Sequence, residues 1–180
     1  MKVKLSHKYD GFTTFTAAGA SDSITLSDAA TALTADSAVE TYVLADATNS
    51  ITLSSTGATV TGGTGVDTIT GGAGDDTINV LLTEDGNTDV MDGAAGTDTL
   101  NLTGVSHTFA TDDNLANIEA ITLATDATTL TLTGQTEAFT ITTANGANTV
   151  VGSAGANTIT GGTGIDTITG GAGIDSITGA

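Results

Sequence analysis

Single aliphatic residues recur along this chain at a spacing of nine. Most of them stand between threonines or other polar residues. One inward-facing aliphatic residue flanked by β-branched residues is typical of a strand of about three residues. The spacing therefore predicts one short strand per nine-residue unit. The two series comprise Ile24, Leu33, Tyr42, Ile51, Val60, Ile69 and Ile78, then Leu123, Leu132, Ile141, Val150, Ile159, Ile168 and Ile177.

Glycine and aspartate fill the space between many of these strands. Residues 62–79 read GGTGVDTITGGAGDDTIN, and residues 161–178 read GGTGIDTITGGAGIDSIT. Glycine costs about 1 kcal/mol in a helix interior, so these segments predict turns. Two units would form one coil, and stacked coils would bury the aliphatic residues of two parallel sheets against each other. The expected fold class is all-β, a right-handed parallel β-roll or β-solenoid of nine-residue half-turns.

The spacing is interrupted near residues 80–120. Leu100 comes four residues late, which indicates that residues 80–92 form one unit carrying a surface loop. Residues 112–120, DDNLANIEA, predict a short capped turn or helix with Leu115 and Ile118 on its inward side. Further on, the position that holds aspartate in the glycine-rich units becomes apolar and predicts longer strands with two inward residues. The residues concerned are Ile121, Leu130 and Phe139, each two before Leu123, Leu132 and Ile141.

The net charge of the chain limits the kinds of partner that it can bind. The net charge is −18, and the three basic residues, Lys2, Lys4 and Lys8, all fall at the N-terminus. Such a surface repels nucleic acid and anionic lipid. Apolar runs such as residues 80–82 are far shorter than a membrane-spanning helix. We expect neither a nucleic-acid partner nor membrane insertion. With four Phe, two Tyr and no Trp, the core should be thin and repeated.

The glycine-rich units resemble the hemolysin-type, or repeats-in-toxin (RTX), calcium-binding repeat, whose pattern is GGxGxDxUx with an aliphatic residue at U. Four units match in full, at 62–70, 71–79, 161–169 and 170–178. The units at 152–160 and 143–151 match in part. The resemblance implies a parallel β-roll in which Ca²⁺ lies between turns stacked on the same edge.

The residue types support the same ion. Ca²⁺ prefers six to eight oxygen ligands, and a stack of like-charged carboxylates is costly without a cation between them. Turns without side chains let backbone carbonyls converge, and we expect glycine to supply the positive φ angles that this requires. The aspartates expected to bind the metal are Asp67, Asp76, Asp98, Asp166 and Asp175. The glycines expected to contribute are Gly63, Gly65, Gly72, Gly74, Gly162, Gly164, Gly171 and Gly173.

Successive units alternate between the two edges, so units two apart should share a site. Asp76 should face Asp98, and this is the one predicted pair with two carboxylates. The other pairs combine aspartate with asparagine and should bind more weakly or rely on more carbonyl ligands. They are Asp67 with Asn49, Asp166 with Asn148, and Asp175 with Asn157.

These assignments predict one solenoid over residues 21–180, preceded by an N-terminal basic arm and cap over residues 1–20. Calcium-type units should occupy 62–101 and 143–180, and apolar-core units 21–61 and 121–142. The last unit is fully formed, which predicts an open end that invites another subunit. Contact between the basic arm and an acidic end would give a homo-oligomer or dock the chain on other structural subunits.

No enzyme is expected. The chain lacks arginine, its lysines are confined to the N-terminus, and no Ser/His/Asp grouping is evident. His7 and His107 are single and are expected at the surface. The sequence favours a non-enzymatic, calcium-stabilised structural subunit of an extracellular or cell-surface assembly, such as a surface layer, filament or adhesin, or of a virion decoration or fibre.

Two alternatives stay open. The Thr-x-Thr pattern at 131–133, 140–142, 158–160 and 167–169 predicts flat threonine columns like the ice-binding faces of some β-solenoids, although threonine also suits any exposed strand. The chain could also be a carbohydrate-binding module of a secreted enzyme, with a polysaccharide as its partner.

Overall fold

The structure is a computed structural model that describes residues 2–5, 21–29, 32–81 and 89–179. Within these residues, short strands alternate with tight turns, as the ninefold spacing predicts. The elements are β1 Lys2–Leu5, β2 Ser23–Leu26, β3 Leu33–Thr34, β4 Thr41–Val43, β5 Asn49–Thr52, β6 Thr59–Thr61, β7 Asp67–Thr70, β8 Thr77–Leu81, β9 Val90–Asp92, β10 Thr99–Thr103, β11 Ser106–Thr108, the 3₁₀ helix η1 Asp112–Asn114, β12 Leu115–Ala116, β13 Ala120–Leu123, β14 Thr129–Thr131, β15 Thr140–Thr142, β16 Thr149–Val151, β17 Thr158–Thr160, β18 Thr167–Thr169 and β19 Ser176–Thr178.

The strands stack in parallel into a β-solenoid, so the predicted fold class is confirmed. One continuous main sheet has the order β1-β2-β4-β6-β8-β10-β13-β15-β17-β19. The opposite side is divided, which differs from the two sheets expected. A first side sheet, β12-β9-β7-β5-β3, ends in the coil where a second side sheet, β11-β14-β16-β18, begins. This coil is longer because it contributes a strand to each of the three sheets.

The aliphatic residues that recur every nine positions form the core of the N-terminal half of the solenoid. Ile24, Tyr42, Val60 and Ile78 lie side by side along the main sheet, one per coil. All four are almost completely buried. Ile51 and Ile69 pair in the same way in the first side sheet. Alternate residues of a strand point to opposite faces, so the flanking residues face outward.

The register of the main sheet differs from the prediction in the central units. Ile141 pairs with Ile121, whereas the ninefold spacing placed Leu123 beside it. Both Ile121 and Leu123 are buried. Because a shift of two residues leaves the same side chains inward, burial of the apolar pair is compatible with either register. The aspartate position of this unit is therefore held by Glu119, and the expectation that Ile121 holds it was wrong.

The second side sheet shows the same shift. Val150 pairs with Leu130 rather than Leu132, and the coil contains 20 residues. Thr128 therefore holds the aspartate position of this unit, in place of the predicted Leu130. Phe139, two residues before Ile141 of the main sheet, does hold that position and is buried as predicted.

Two further irregularities were anticipated in part. The coil around residues 80–92 has a spacing of 22 instead of 18, and residues 82–88 of the predicted loop lie outside the described residues. The expected short helix is present as η1. Leu115 and Ile118 are both buried, as predicted, although Leu115 lies on a strand.

The two edge strands of the main sheet are β1 and β19. The predicted basic arm thus begins with a strand, in which Lys2 pairs with Ser23. His7 and Lys8 lie outside the described residues. In the part of the chain that the structure describes, no helix has the length and apolar composition that a membrane span requires.

Candidate metal centre

The sixth position of each unit, where the repeat pattern has aspartate, directs its side chain into the coil. It stands two residues before the inward-facing aliphatic residue, and residues two apart along an extended segment share a face. Asp67, Asp76 and Asp98 are 0%, 1% and 1% exposed. Carboxylates are rarely buried to this degree unless they are paired or coordinate a metal.

The structure brings Asp76 and Asp98 together, as predicted. Oδ1 of Asp98 accepts a hydrogen bond from the backbone N–H of Asp76 at 2.7 Å. Oδ1 of Asp76 likewise accepts from the N–H of Ala58 in the preceding coil at 2.8 Å. Oδ2 of Asp98 is buried and has no hydrogen-bond partner among the described residues. An unsatisfied buried carboxylate oxygen beside a second carboxylate is an arrangement that a cation would stabilise.

Asp67 and Asp89 form a second carboxylate pair, which was not predicted from the sequence. Asp89 is buried, and its Oδ1 accepts from the backbone N–H of Asp67 at 2.8 Å. Asp76 with Asp98 is the one pair with two carboxylates among those predicted, and the structure adds Asp67 with Asp89 to it. The signal was present as Asp89-Val90-Met91, which repeats the order of aspartate, outward residue and inward apolar residue. The four-residue insertion before it concealed the spacing.

Glu119 was also missed. Its Oε2 accepts from the backbone N–H of Asp98 at 2.7 Å, which continues the column formed by Asp76 and Asp98 into the next coil. The residue is exposed, unlike the aspartates that precede it in the column. The register shift of two residues places Glu119 here, so the ninefold spacing could not identify it.

The three predicted pairs of aspartate and asparagine are also in contact. In each pair, the aspartate Oδ1 accepts the backbone N–H of the asparagine in the preceding coil at 2.9 Å. The pairs are Asn49 with Asp67, Asn148 with Asp166, and Asn157 with Asp175.

Burial disfavours the ionised form of several of these carboxyl groups. Desolvation raises the pKa of Asp89 to about 6, and the nearby negative charge of Asp67 adds to the shift. Desolvation also raises the pKa of Asp67 and of Asp98. For Asp98, the neighbouring charges of Asp76 and Glu119 act in the same direction. A bound cation would oppose all of these effects because it favours the ionised form.

Close stacking, rather than positive φ, explains most of the glycines. A Cβ on Gly63 would overlap the carbonyl oxygen of Ala45, and one on Gly72 would overlap that of Ser54. The other predicted glycines face backbone atoms of the preceding coil in the same way. Of the eight, Gly164 and Gly171 alone have positive φ. The expectation that glycine serves mainly to supply positive φ was therefore wrong for the other six.

The donor set fits calcium. We use the term corner for one turn, its sixth-position residue and the sixth-position residue of the next coil. The corners of Asp67 and Asp76 offer carboxylate oxygens together with the carbonyls of closely stacked turns, and hard oxygen donors are the ligands of Ca²⁺. Among the described residues, no group of three or more His, Cys, Asp or Glu side chains could hold a metal. Backbone carbonyls would therefore have to complete the coordination.

A family model for the RTX calcium-binding nonapeptide repeat matches residues 55–82 and 142–177, with four copies. The chain contains RTX calcium-binding repeats. RTX nonapeptide repeats bind calcium, which supports Ca²⁺ as the metal of this protein. The RTX match covers the two regions in which the sequence shows the full nine-residue pattern. No curated protein and no solved structure matches the chain.

His107 lies outside the RTX repeats and was predicted to be at the surface, which was wrong. The residue is 1% exposed and stands beside Leu130 in the second side sheet. It occupies the inward position that an aliphatic residue holds in the other coils. Neither ring nitrogen has a hydrogen-bond partner of normal geometry among the described residues.

Proposed function

We propose that this chain is a non-enzymatic structural subunit of an extracellular assembly, and that Ca²⁺ holds its coils together. RTX repeats are typical of secreted proteins, and the β-roll that they form is typically non-catalytic, which supports this proposal. The surface layer, filament, adhesin and virion decoration or fibre remain the candidate assemblies.

The observation that carries the calcium role is the corner formed by Asp76 and Asp98. Two buried carboxylates face each other in adjacent coils, and Oδ2 of Asp98 lacks a hydrogen bond within the described part of the chain. Without a cation, this corner sets like charges against each other in a desolvated site. Asp67 with Asp89 and the carbonyls of Gly63, Gly65, Gly72 and Gly74 would hold Ca²⁺ in the same manner.

Calcium would act on stability by mass action, because it binds the folded chain and the unfolded chain lacks the sites. Sites with dissociation constants of about 10⁻⁴ to 10⁻³ M would fill at extracellular calcium concentrations and would be largely empty inside a cell. The proposal therefore predicts a solenoid that becomes rigid once it reaches a calcium-rich medium.

The test is a calcium titration followed by circular dichroism and thermal unfolding. We expect the unfolding midpoint of the chain to rise with calcium and to fall again in excess chelator. Asp98→Ala should bind fewer ions and respond less. A wild-type chain that binds no calcium, with the same unfolding midpoint in calcium and in chelator, would refute the proposal.

Self-association is the second part of the proposal. The edge strands β1 and β19 both belong to the parallel main sheet, so β19 of one copy could pair with β1 of the next. Ile165 and Ile174 near the last coil are 88% and 93% exposed. Exposed apolar residues such as these favour contact with another subunit.

Charge complementarity gives a separate test of this contact. Lys2 and Lys4 lie on β1, and Asp166 and Asp175 lie near the opposite edge. Replacing both lysines by glutamate should weaken self-association in sedimentation experiments while leaving the circular dichroism spectrum unchanged. An unaltered sedimentation profile would exclude docking through the N-terminal residues.

Ice binding is the second candidate function, because part of the threonine pattern is exposed on the main sheet. Thr140, Thr142, Thr158 and Thr160 all face solvent in two adjacent strands, β15 and β17. Threonine columns also suit an ordinary exposed sheet. A thermal hysteresis assay distinguishes the two, since a purely structural subunit should give no hysteresis. Binding to a panel of polysaccharides would test the carbohydrate-binding alternative.

A further inference from the structure

Three sixth positions carry asparagine instead of aspartate, and the structure gives these residues a distinct set of contacts. Asn49, Asn148 and Asn157 are buried to the same extent as the buried aspartates. Each asparagine corner has an aspartate in the next coil, so one amide and one carboxylate meet there.

In the Asn148 corner, the amide nitrogen lies among oxygen atoms. Nδ2 of Asn148 is 2.9 Å from the carbonyl oxygen of Ala144, 3.1 Å from that of Gly146 and 3.2 Å from Oδ1 of Asp166. The two carbonyls belong to the second and fourth positions of the unit. These are the positions whose glycines are expected to contribute oxygen ligands in the aspartate units.

The other two asparagine corners repeat this arrangement. Nδ2 of Asn49 contacts two carbonyl oxygens of its own turn and Oδ1 of Asp67 at 2.6–2.9 Å. Nδ2 of Asn157 contacts the carbonyl of Gly155 at 2.9 Å and Oδ1 of Asp175 at 3.3 Å. Because the same amide contacts occur in three separate coils, they are a general feature of units with asparagine at the sixth position.

Hydrogen bonding on the other side of the amide fixes its orientation. Oδ1 of Asn148 accepts from the backbone N–H of Thr128 at 3.0 Å, and Oδ1 of Asn157 accepts from that of Phe139 at 3.0 Å. Turning either amide over would place an NH₂ group against an N–H donor and an oxygen against several oxygens. The nitrogen must therefore face the carbonyls.

The aspartate corners have the same backbone but lack this donor. Oδ1 of Asp76 accepts from Ala58, as the asparagine Oδ1 atoms accept from the preceding coil. Oδ2 of Asp76 accepts from the backbone N–H of Gly72 at 3.0 Å. A carboxylate has no N–H group to offer the turn carbonyls or the carboxylate of Asp98. A cation would supply at these corners the positive charge that the NH₂ group of asparagine supplies at the others.

We propose that the amide groups of Asn49, Asn148 and Asn157 take the place of Ca²⁺, so that their corners are metal-independent. Calcium binds instead at corners where two carboxylates meet, above all the two in which both are aspartates, Asp67 with Asp89 and Asp76 with Asp98. This inference rests on the proposed calcium role. It assigns to the asparagines a role other than the weak ligands expected from the sequence.

Exchanging the two residue types tests the inference in both directions. Asn148→Asp should create a calcium site, so calorimetric titration should show one more bound Ca²⁺ per chain. In chelator, this variant should unfold at a lower temperature than wild type. Asn145→Asp is the matched control, because it adds the same charge to the same turn at an exposed position. Its Oδ1 is an acceptor for Thr163, which a carboxylate preserves.

Asp76→Asn is the reverse exchange. It should bind one Ca²⁺ fewer than wild type, yet unfold at a higher temperature in chelator. The substitution removes one of two neighbouring negative charges and adds a donor for the carbonyls of the turn, which together should outweigh the loss of the hydrogen bond from Gly72. The inference is overturned if Asn148→Asp binds no more calcium than Asn145→Asp, or if Asp76→Asn is not stabilised in chelator. Failure of the proposed function is a different result, in which the wild-type chain itself binds no calcium.

Discussion

Replacing His107 by leucine should remove a pH dependence from the stability of the solenoid. His107 lies in the row of inward-facing residues of the second side sheet, beside Leu130, and is buried. Burial lowers the pKa of His107 to about 4, from an ordinary value of 6.5. The backbone of Gly104 offsets only part of this shift. The folded chain therefore holds the ring neutral at a pH where the unfolded chain protonates it.

The sign and size of the effect follow from this difference. The unfolded state binds more protons than the folded state between the two pKa values, so stability falls as the pH falls through this range. The stabilising contribution is present above the unfolded pKa of 6.5 and is lost progressively toward the folded pKa of about 4. Between about pH 7 and about pH 5, the loss amounts to about 2 kcal/mol.

The assay compares urea unfolding of wild type and His107→Leu over this pH range at saturating calcium. The acidic residues and calcium sites are common to both proteins, so the difference between the two free energies of unfolding isolates the histidine. We expect this difference to shift in favour of the leucine variant by about 2 kcal/mol on acidification. Two pH profiles that run parallel would refute the reasoning, whatever their vertical offset.

Two further predictions use matched residues of the repeat. Ile141→Ala should cost about 2–5 kcal/mol in urea unfolding because it leaves a cavity in the core. Ile177→Ala, at the equivalent position but 49% exposed, should cost less than about 1 kcal/mol. Equal losses would contradict the burial gradient along the main sheet. Gly72→Ala should strongly lower the unfolding temperature, because its Cβ would overlap Ser54, while Gly179→Ala, whose Cβ has nothing within 4 Å, should not. A Gly72→Ala chain as stable as wild type would show that the coils can separate to accept a methyl group.

The sequence by itself determined the coil and its core. A spacing of nine with one aliphatic residue per unit leaves no other way to bury Val60, Ile69 and Ile78 than to stack them. The same spacing placed Asp76 opposite Asp98 and Asn148 opposite Asp166, because uninterrupted coils, or coils with one insertion, keep equivalent positions in line. These contacts follow from counting residues, and the structure has them.

Two features were decided only by the tertiary structure. They are the strand register after residues 80–120, where the nine-residue spacing is interrupted, and the roles of the polar residues at the sixth position. A strand with two inward residues, such as Ile121 and Leu123, is buried equally well in registers that differ by two. The long coil contributes a strand to each of the three sheets, and its path selects one of these registers. That register places Glu119 beside Asp98. Whether a sixth-position amide presents nitrogen or oxygen to its own turn depends on the N–H group of the preceding coil. That group belongs to a residue about 20 positions away, and its location is a property of the stacked structure.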